Sequence, residues 1–213
     1  MRNITKGPEP QSLTEYRARD PTDYDGYPDK DKLRVSLVSE QRGICCYCMG
    51  PIRATIGSTK VEHWHSYARY PAERLVYLNL LGACMGNEGR RHSDQHCDSY
   101  KGDRDLSRNP ANMAHNVQGI VHFLADGRIT SPNPVFNEEL QQVLNLNVPV
   151  LVNSRKETLR AFQSTLRKRG ALSRQAWERL LQQWNGEAYG EGLMPYCQVI
   201  IYWIQKKLAR FVR

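Results

Sequence analysis

The chain has 213 residues, of which 40% are hydrophobic and 24% are charged, an ordinary composition for a soluble globular protein. No apolar run is long enough to cross a membrane and no secretory signal is recognisable, so we expect a cytoplasmic protein with no membrane contact and with reduced thiols. The net charge of +8 comes from residues 155–213, which hold 12 basic and 4 acidic residues. Such an excess favours nucleic acid or an acidic partner, and a solvated helical face is the alternative.

Prolines and glycines dominate the beginning of the chain, and residues 1–28 are therefore predicted to form an extended arm with little regular structure. A helix is predicted over residues 29–42, because Leu33 and Leu37 lie four apart and Gly43 follows as a stop. This helix leads directly into a cysteine-rich stretch.

Four cysteines form two separated groups that suit a structural zinc ion. Cys45 and Cys48 have the C-x2-C spacing, which lets a tight turn direct two thiolates at one ion. Cys84 and Cys97 would complete a tetrahedron, although 12 residues separate them. Buried free thiols are the alternative, and His92 or His96 could replace one cysteine as a ligand.

A set of polar side chains is interleaved with these cysteines and suits metal-assisted phosphodiester hydrolysis. Glu62 and His63 are adjacent on a predicted strand, so they share one site only if the strand bends there. His63 could deprotonate a water molecule, Glu62 could help to hold a divalent ion, and Asn79 could orient the imidazole. Asp98 directly follows the last zinc cysteine, and Lys101, one helical turn later, could contact a phosphate.

Other side chains near this set are candidates for substrate contacts. His65 lies two residues beyond His63 and could assist the metal or the substrate, although an additional histidine is more often structural. Arg90 and Arg91 lie in the polar insert between residues 85 and 96, where a loop beside a nuclease centre could bind substrate. A plain surface loop is the alternative for this insert.

The rest of the chain shows strand signals followed by helical ones. Two strands are predicted within residues 48–65, and a hairpin is predicted over residues 118–131 around Asp126-Gly127. Helices are predicted over residues 138–146, from Asn153 or Ser154 to Arg169, after a Ser173 cap to Gly186, and from Pro195 onward.

The central motifs resemble those of the zinc-containing HNH endonucleases. The match rests on the cysteine motif at 43–48, Glu62-His63, the asparagine step at 77–81 and the closing segment at 97–102. The wider chain resembles the PtuB-like HNH subunit of Septu-type anti-phage systems, which also occurs with some retrons. It does so through residues 1–6, the helix around Glu40 and the helix after Pro195.

This resemblance implies a ββα-metal fold and a set of residue roles. His63 would be the general base, Asn79 its orienting partner, and Asp98 a ligand of the catalytic ion in place of the usual Asn or His. Glu62 takes the place usually held by Asp and would be a second ligand. The resemblance also implies a structural Zn²⁺, a catalytic Mg²⁺ or similar cation, and an ABC-type ATPase partner (PtuA-like). The long insert and the charge of Asp98 depart from the family pattern.

These observations together predict an α+β protein with an arm at 1–28, an HNH core at 29–110, and a β-hairpin and basic helical region at 111–213. The predicted activity is hydrolysis of nucleic-acid phosphodiester bonds in anti-phage defence. The alternatives are a zinc-knuckle module that binds nucleic acid without cutting it and a scaffold subunit. DNA and RNA both stay open as substrates.

Overall fold

The computed structural model describes residues 1–19, 23–167, 169–186 and 192–211, and it confirms the α+β class. Two small antiparallel sheets lie among helices of varied length. The elements are α1 (Gln11–Arg17), α2 (Lys30–Glu40), β1 (Thr59–His63), β2 (Leu80–Cys84), α3 (Asp98–Lys101), α4 (Val117–Ile120), β3 (His122–Phe123), β4 (Ile129–Thr130), α5 (Pro134–Glu138), α6 (Pro149–Arg167), α7 (Arg174–Trp184) and α8 (Cys197–Leu208). A single π-helical turn, Glu139–Val143, continues α5.

The N-terminal arm is more ordered than its composition suggested. The prediction of little regular structure was wrong, because helix α1 forms in its middle and begins directly after Pro10, which suits a helix start. The side chain of Leu13 is completely buried against Tyr27, Leu33 and Leu37. The apolar residues scattered along the arm therefore attach it to helix α2.

The first sheet differs from the predicted one in the choice of its second strand. Strand β1 pairs with β2, so that Thr59 lies opposite Cys84 and His63 opposite Leu80. The prediction of two strands within residues 48–65 was wrong, because the earlier segment contributes only an isolated bridge between Ile44 and Pro51. The 16 residues between the two strands form a long loop, and helix α3 follows after the polar insert.

The second half of the chain follows the predicted order of a hairpin and then helices, with several shifted boundaries. The helix predicted over residues 138–146 forms earlier, as α5 and its π-helical turn, and α8 begins at Cys197 rather than at Pro195. The hairpin is confirmed as β3 and β4, and the Ser173 hydroxyl caps α7 as predicted by accepting a hydrogen bond from the Ala176 amide. Helix α6 begins at Pro149 rather than at Asn153 or Ser154. Proline fits the first turn because that amide needs no helical partner.

The largest buried cluster joins elements from both halves. It combines Met1, Tyr47 and Leu81 with Phe136 and Leu151. The zinc-type cysteines lie in this cluster, so the helical region provides part of the packing around them. Across the described parts of the chain, no helix has the length and apolarity needed to cross a bilayer.

Candidate metal centre and active site

The four predicted cysteines converge on one point. Their sulfur atoms all lie within 4.8 Å of one another, with 3.9 Å between the Sγ atoms of Cys45 and Cys97 and 3.7 Å between those of Cys48 and Cys84. Zn–S bonds of about 2.3 Å in a tetrahedron place sulfurs about 3.8 Å apart. This donor set therefore fits Zn²⁺, and no other group of three or more such ligands occurs among the described residues.

The insert between Cys84 and Cys97 closes on itself, which brings distant cysteines together. The His96 amide donates to the Gly86 carbonyl at 3.0 Å, so the two ends of the insert meet. Gly86 has φ +55°, and a Cβ there would lie 2.1 Å from the His96 carbonyl oxygen. Only glycine fits this closure. The long spacing of the second cysteine pair is therefore compatible with one metal centre.

Backbone amides support the sulfur atoms as well. The Cys84 amide donates to Cys45 Sγ and the Gly50 amide to Cys48 Sγ, both at 3.3 Å. All four sulfurs already meet, so the cluster needs no histidine to reach four ligands. His96 is buried with Nδ1 at 3.2 Å from Cys97 Sγ, whereas the exposed ring of His92 stacks on Tyr100.

Glu62 and Asp98 meet in a buried network beside the cysteine cluster. Glu62 is 1% exposed, and its Oε1 accepts from the Tyr47 hydroxyl at 2.6 Å and from Lys101 Nζ at 3.0 Å. Lys60 Nζ lies 2.7 Å from Asp98 Oδ2. The two carboxyl groups are also hydrogen-bonded to each other. The strand and helix α3 thus bring together the two residues predicted to hold a divalent ion.

The protonation of this pair follows from its burial. Burial and the nearby Asp98 raise the pKa of Glu62 well above its usual range. Although burial raises it, the hydrogen bond from Glu62 and the charge of Lys60 bring the pKa of Asp98 below its usual value. Burial thus favours the neutral form of Glu62, whereas Lys60 favours the charged form of Asp98. A divalent cation bound to both carboxyl groups would favour the charged form of each.

His63 is held on the other side of the strand by a backbone group. Its Nε2 lies 3.0 Å from the carbonyl oxygen of Arg74. A carbonyl can only accept, so Nε2 carries the hydrogen and Nδ1 is the lone-pair nitrogen of the neutral ring. Burial lowers the pKa of His63 below its ordinary value, so the ring is neutral at pH 7. Lys101 Nζ donates to the His63 carbonyl oxygen and links the two sides.

The Asn79 side chain is hydrogen-bonded to the loop between β1 and β2, which contains Arg74. Its Oδ1 accepts from the His65 amide at 2.7 Å, and its Nδ2 donates to the carbonyl oxygens of His65 and Glu73 at 3.1 and 3.2 Å. The direct contact with the His63 ring that we predicted is thus made by the Arg74 carbonyl. Asn79 binds the Glu73 carbonyl, which belongs to the peptide group directly before Arg74. It therefore supports the orientation of the His63 ring indirectly, through the position of Arg74.

Asn79→Ala should remove three hydrogen bonds from this loop. For the nucleic-acid cleavage predicted from the sequence, we expect a loss of roughly 10–100-fold, as for other groups that hold a reactive side chain indirectly. We also expect a decrease of about 1–3 kcal/mol in the free energy of unfolding, because buried backbone groups lose their partners. Asn133→Ala is a suitable control, since it removes the cap of α5 and costs about 1 kcal/mol. Equal activity losses in both variants would refute the positioning role.

The remaining predicted substrate residues have varied environments. His65 Nδ1 lies 2.7 Å from Glu73 Oε2, and its ring is stacked between Trp64 and Tyr70. Lys101 is 1% exposed with its ammonium bonded inside the protein. Both arginines of the insert, Arg90 and Arg91, are exposed. The substrate contacts of these residues stay predictions.

Three contributors to the site were not predicted. Arg74 acts through its backbone carbonyl, which has no signature in a sequence. Lys60 lies two residues before Glu62 and therefore on the same strand face, a signal that was available. Tyr47 lies inside the C-x2-C pair, and its position between two ligands also indicated proximity to the centre.

Comparison with known proteins supports the resemblance to HNH endonucleases. The chain is 26% identical to the Escherichia coli protein named "Retron Ec83 putative HNH endonuclease" in an alignment 230 positions long, which covers 87% of this chain and 88% of the relative. No family model matches the chain.

Proposed function

We propose that the chain is a metal-dependent endonuclease that hydrolyses phosphodiester bonds of nucleic acid. The observation that carries this proposal is the environment of His63, whose Nε2–H is bound to the Arg74 carbonyl. That arrangement leaves Nδ1 as a base in a neutral imidazole. The similarity to a protein named as an HNH endonuclease supports the same activity.

His63 Nδ1 would take a proton from the water molecule that attacks phosphorus. The new P–O bond forms as the bond to the leaving sugar oxygen breaks, and solvent returns a proton to that oxygen. A general base of this kind contributes roughly 10²–10⁴-fold to the rate. The Arg74 carbonyl would stabilise the imidazolium that forms, because it accepts from the other ring nitrogen.

Asp98 and Glu62 would hold the catalytic cation. Their oxygen atoms suit Mg²⁺, which binds through one or two carboxylates and keeps several waters. When bound there, the cation would offset negative charge at the phosphate. Lys60 and Lys101 neutralise the same carboxylates in the described state. We propose that these two lysine side chains hold the two carboxyl groups in position before an ion binds.

The four cysteines would bind a structural Zn²⁺ that fixes Asp98 in place. Cys97 is a proposed zinc ligand, and Asp98 is the next residue and the first of α3. A single planar peptide bond therefore joins the two proposed metal ligands along the chain. The zinc centre would thus determine where the catalytic carboxylate lies.

The alternative of a non-catalytic zinc knuckle has a specific discriminator. A binding module needs the cysteines and the basic helices only. It does not need a buried imidazole with a fixed tautomer or a buried pair of neighbouring carboxyl groups. We therefore favour the nuclease, and we propose anti-phage defence with an ATPase partner from the resemblance described above.

The direct test is Mg²⁺-dependent cleavage of plasmid DNA and of RNA by the purified chain, alone and together with the proposed ATPase partner. Metal content is measured on the same sample. Nicking that requires Mg²⁺ and is lost in the Asp98→Ala variant would support the proposal. Equal cleavage by Asp98→Ala would refute the assignment of the cation site.

The lowered pKa of His63 sets the pH dependence that we expect. The base is active when neutral, so kcat/KM should rise with pH through the His63 pKa and then level off. The midpoint should lie below about 6.5, the ordinary pKa of histidine. Rates measured from pH 5 to 8 at constant Mg²⁺ and ionic strength check this. A midpoint clearly above pH 7 would contradict the burial argument.

A further inference from the structure

A segment of the N-terminal arm lies directly over His63. The edge of the Tyr24 ring contacts the imidazole, with ring centroids 4.8 Å apart at 89°, and Tyr67 contacts it in a similar way at 5.3 Å and 76°. His63 is consequently only 8% exposed. The proposed base therefore lies between one tyrosine from the arm and one from the loop after β1.

Two hydrogen-bond donors of that loop lie next to the imidazole. The Arg74 guanidinium stacks on the Tyr67 ring at 4.0 Å and donates from Nε to the Tyr67 carbonyl oxygen at 2.8 Å. The same Arg74 offers its own carbonyl to His63. The guanidinium and the Tyr67 hydroxyl are thus fixed close to the proposed reaction centre, in a pairing that suits an anionic oxygen.

Two carboxylates of the N-terminal arm accept hydrogen bonds from the Tyr67 hydroxyl and the Arg74 guanidinium. The Tyr67 hydroxyl donates to Asp25 Oδ2 at 2.8 Å and lies 3.3 Å from Asp23 Oδ1, and Arg74 Nη1 lies 3.3 Å from Asp23 Oδ2. Both aspartates are exposed. Two like charges thus converge on one donor pair, as two phosphate oxygens would.

We propose that Arg74 and Tyr67 bind a phosphate group of the nucleic-acid substrate, next to the one attacked with the help of His63. In the free chain, Asp23 and Asp25 hold the same donors, so a nucleic-acid strand must displace the arm carboxylates to reach His63. This inference rests on the proposed nuclease function. It assigns a substrate subsite to side chains outside the predicted motifs and makes the arm a competitor for it.

If the arm competes with nucleic acid, removing the arm carboxylates should raise the affinity for an oligonucleotide, and removing the donors should lower it. Asp23→Asn/Asp25→Asn should bind a short oligonucleotide roughly tenfold more tightly, whereas Tyr67→Phe or Arg74→Ala should weaken binding roughly tenfold, the size of one charge-assisted hydrogen bond. The Arg74→Ala variant keeps the carbonyl that holds His63. Adding Tyr67→Phe and Arg74→Ala to the aspartate variant should abolish its gain.

Binding is measured by fluorescence anisotropy with labelled single-stranded and duplex DNA and RNA, in buffer without Mg²⁺ and without chelator, so that no cleavage occurs and the structural zinc is kept. Asp31→Asn/Asp126→Asn is the matched control, because it removes two exposed carboxylates that lie outside the basic region 155–213 and changes the net charge equally. An equal gain in this control, or no gain in the aspartate variant, would overturn the inference. His63→Ala cleavage assays test the nuclease proposal separately, so the two failures are distinguishable.

Discussion

His63→Ala should lower the cleavage rate at least about 100-fold, because the variant has no group that can take the proton from the attacking water. The loss should appear in kcat, while oligonucleotide binding measured without Mg²⁺ stays within a few-fold of the parent chain. The measurement is single-turnover cleavage of a labelled substrate at saturating protein and Mg²⁺. This is the largest effect that we expect from any single side chain of the proposed site.

Two further variants make this result interpretable. His63 is buried, and its removal leaves the Arg74 carbonyl without its partner, which costs about 1–3 kcal/mol of stability. His63→Asn retains a donor and should be equally inactive but more stable. His122→Ala removes a half-buried imidazole that packs on Tyr202, and it should cleave normally. Cleavage by either His63 variant at the parental rate would refute the assignment of His63 as the general base.

The second large effect concerns the cysteine cluster, where two neighbouring residues should behave in opposite ways. Cys45→Ser should lose the bound zinc and most of the cooperative folding of residues 29–110, since structural zinc contributes about 10–16 kcal/mol in small zinc domains at pH 7. Cys46→Ser should keep one zinc per chain, because Cys46 is buried beside the cluster but is not one of its four converging sulfurs.

Metal content by mass spectrometry and thermal unfolding with and without a chelator measure both variants. Equal zinc content in Cys45→Ser and Cys46→Ser would exclude the four-cysteine site. A parent chain that unfolds at the same temperature after zinc is removed would exclude a structural role for the ion. Neither result depends on whether the protein cleaves nucleic acid.

A scaffold without catalysis differs from the proposed nuclease at Asp98. The Asp98 carboxylate bonds to Lys60 and Glu62. If Asp98 has a purely structural role, Asp98→Asn should only lower the free energy of unfolding. In the nuclease, the same variant should lose Mg²⁺-dependent cleavage even under conditions where it is fully folded. The two roles therefore separate when activity and unfolding are measured on one preparation.

The residue types of the proposed site were predictable from the sequence. The C-x2-C pair, the adjacent Glu62-His63 and the Asp98 that follows Cys97 each indicate a reaction or a metal through side chains alone. Helices α2, α7 and α8 were also predictable, because their apolar residues repeat with helical spacing and α7 has a Ser173 cap. These features are local, and a short stretch of sequence contains all the information they need.

The contacts that join these parts were decided by the tertiary structure. Strand β1 pairs with β2 rather than with the nearer segment, and the insert closes through Gly86 and His96. The partner of the His63 ring is the Arg74 carbonyl, which any residue type could have supplied. Loop closure and backbone hydrogen bonding depend on which distant segments pack together, so the pattern of side chains along the chain does not specify them.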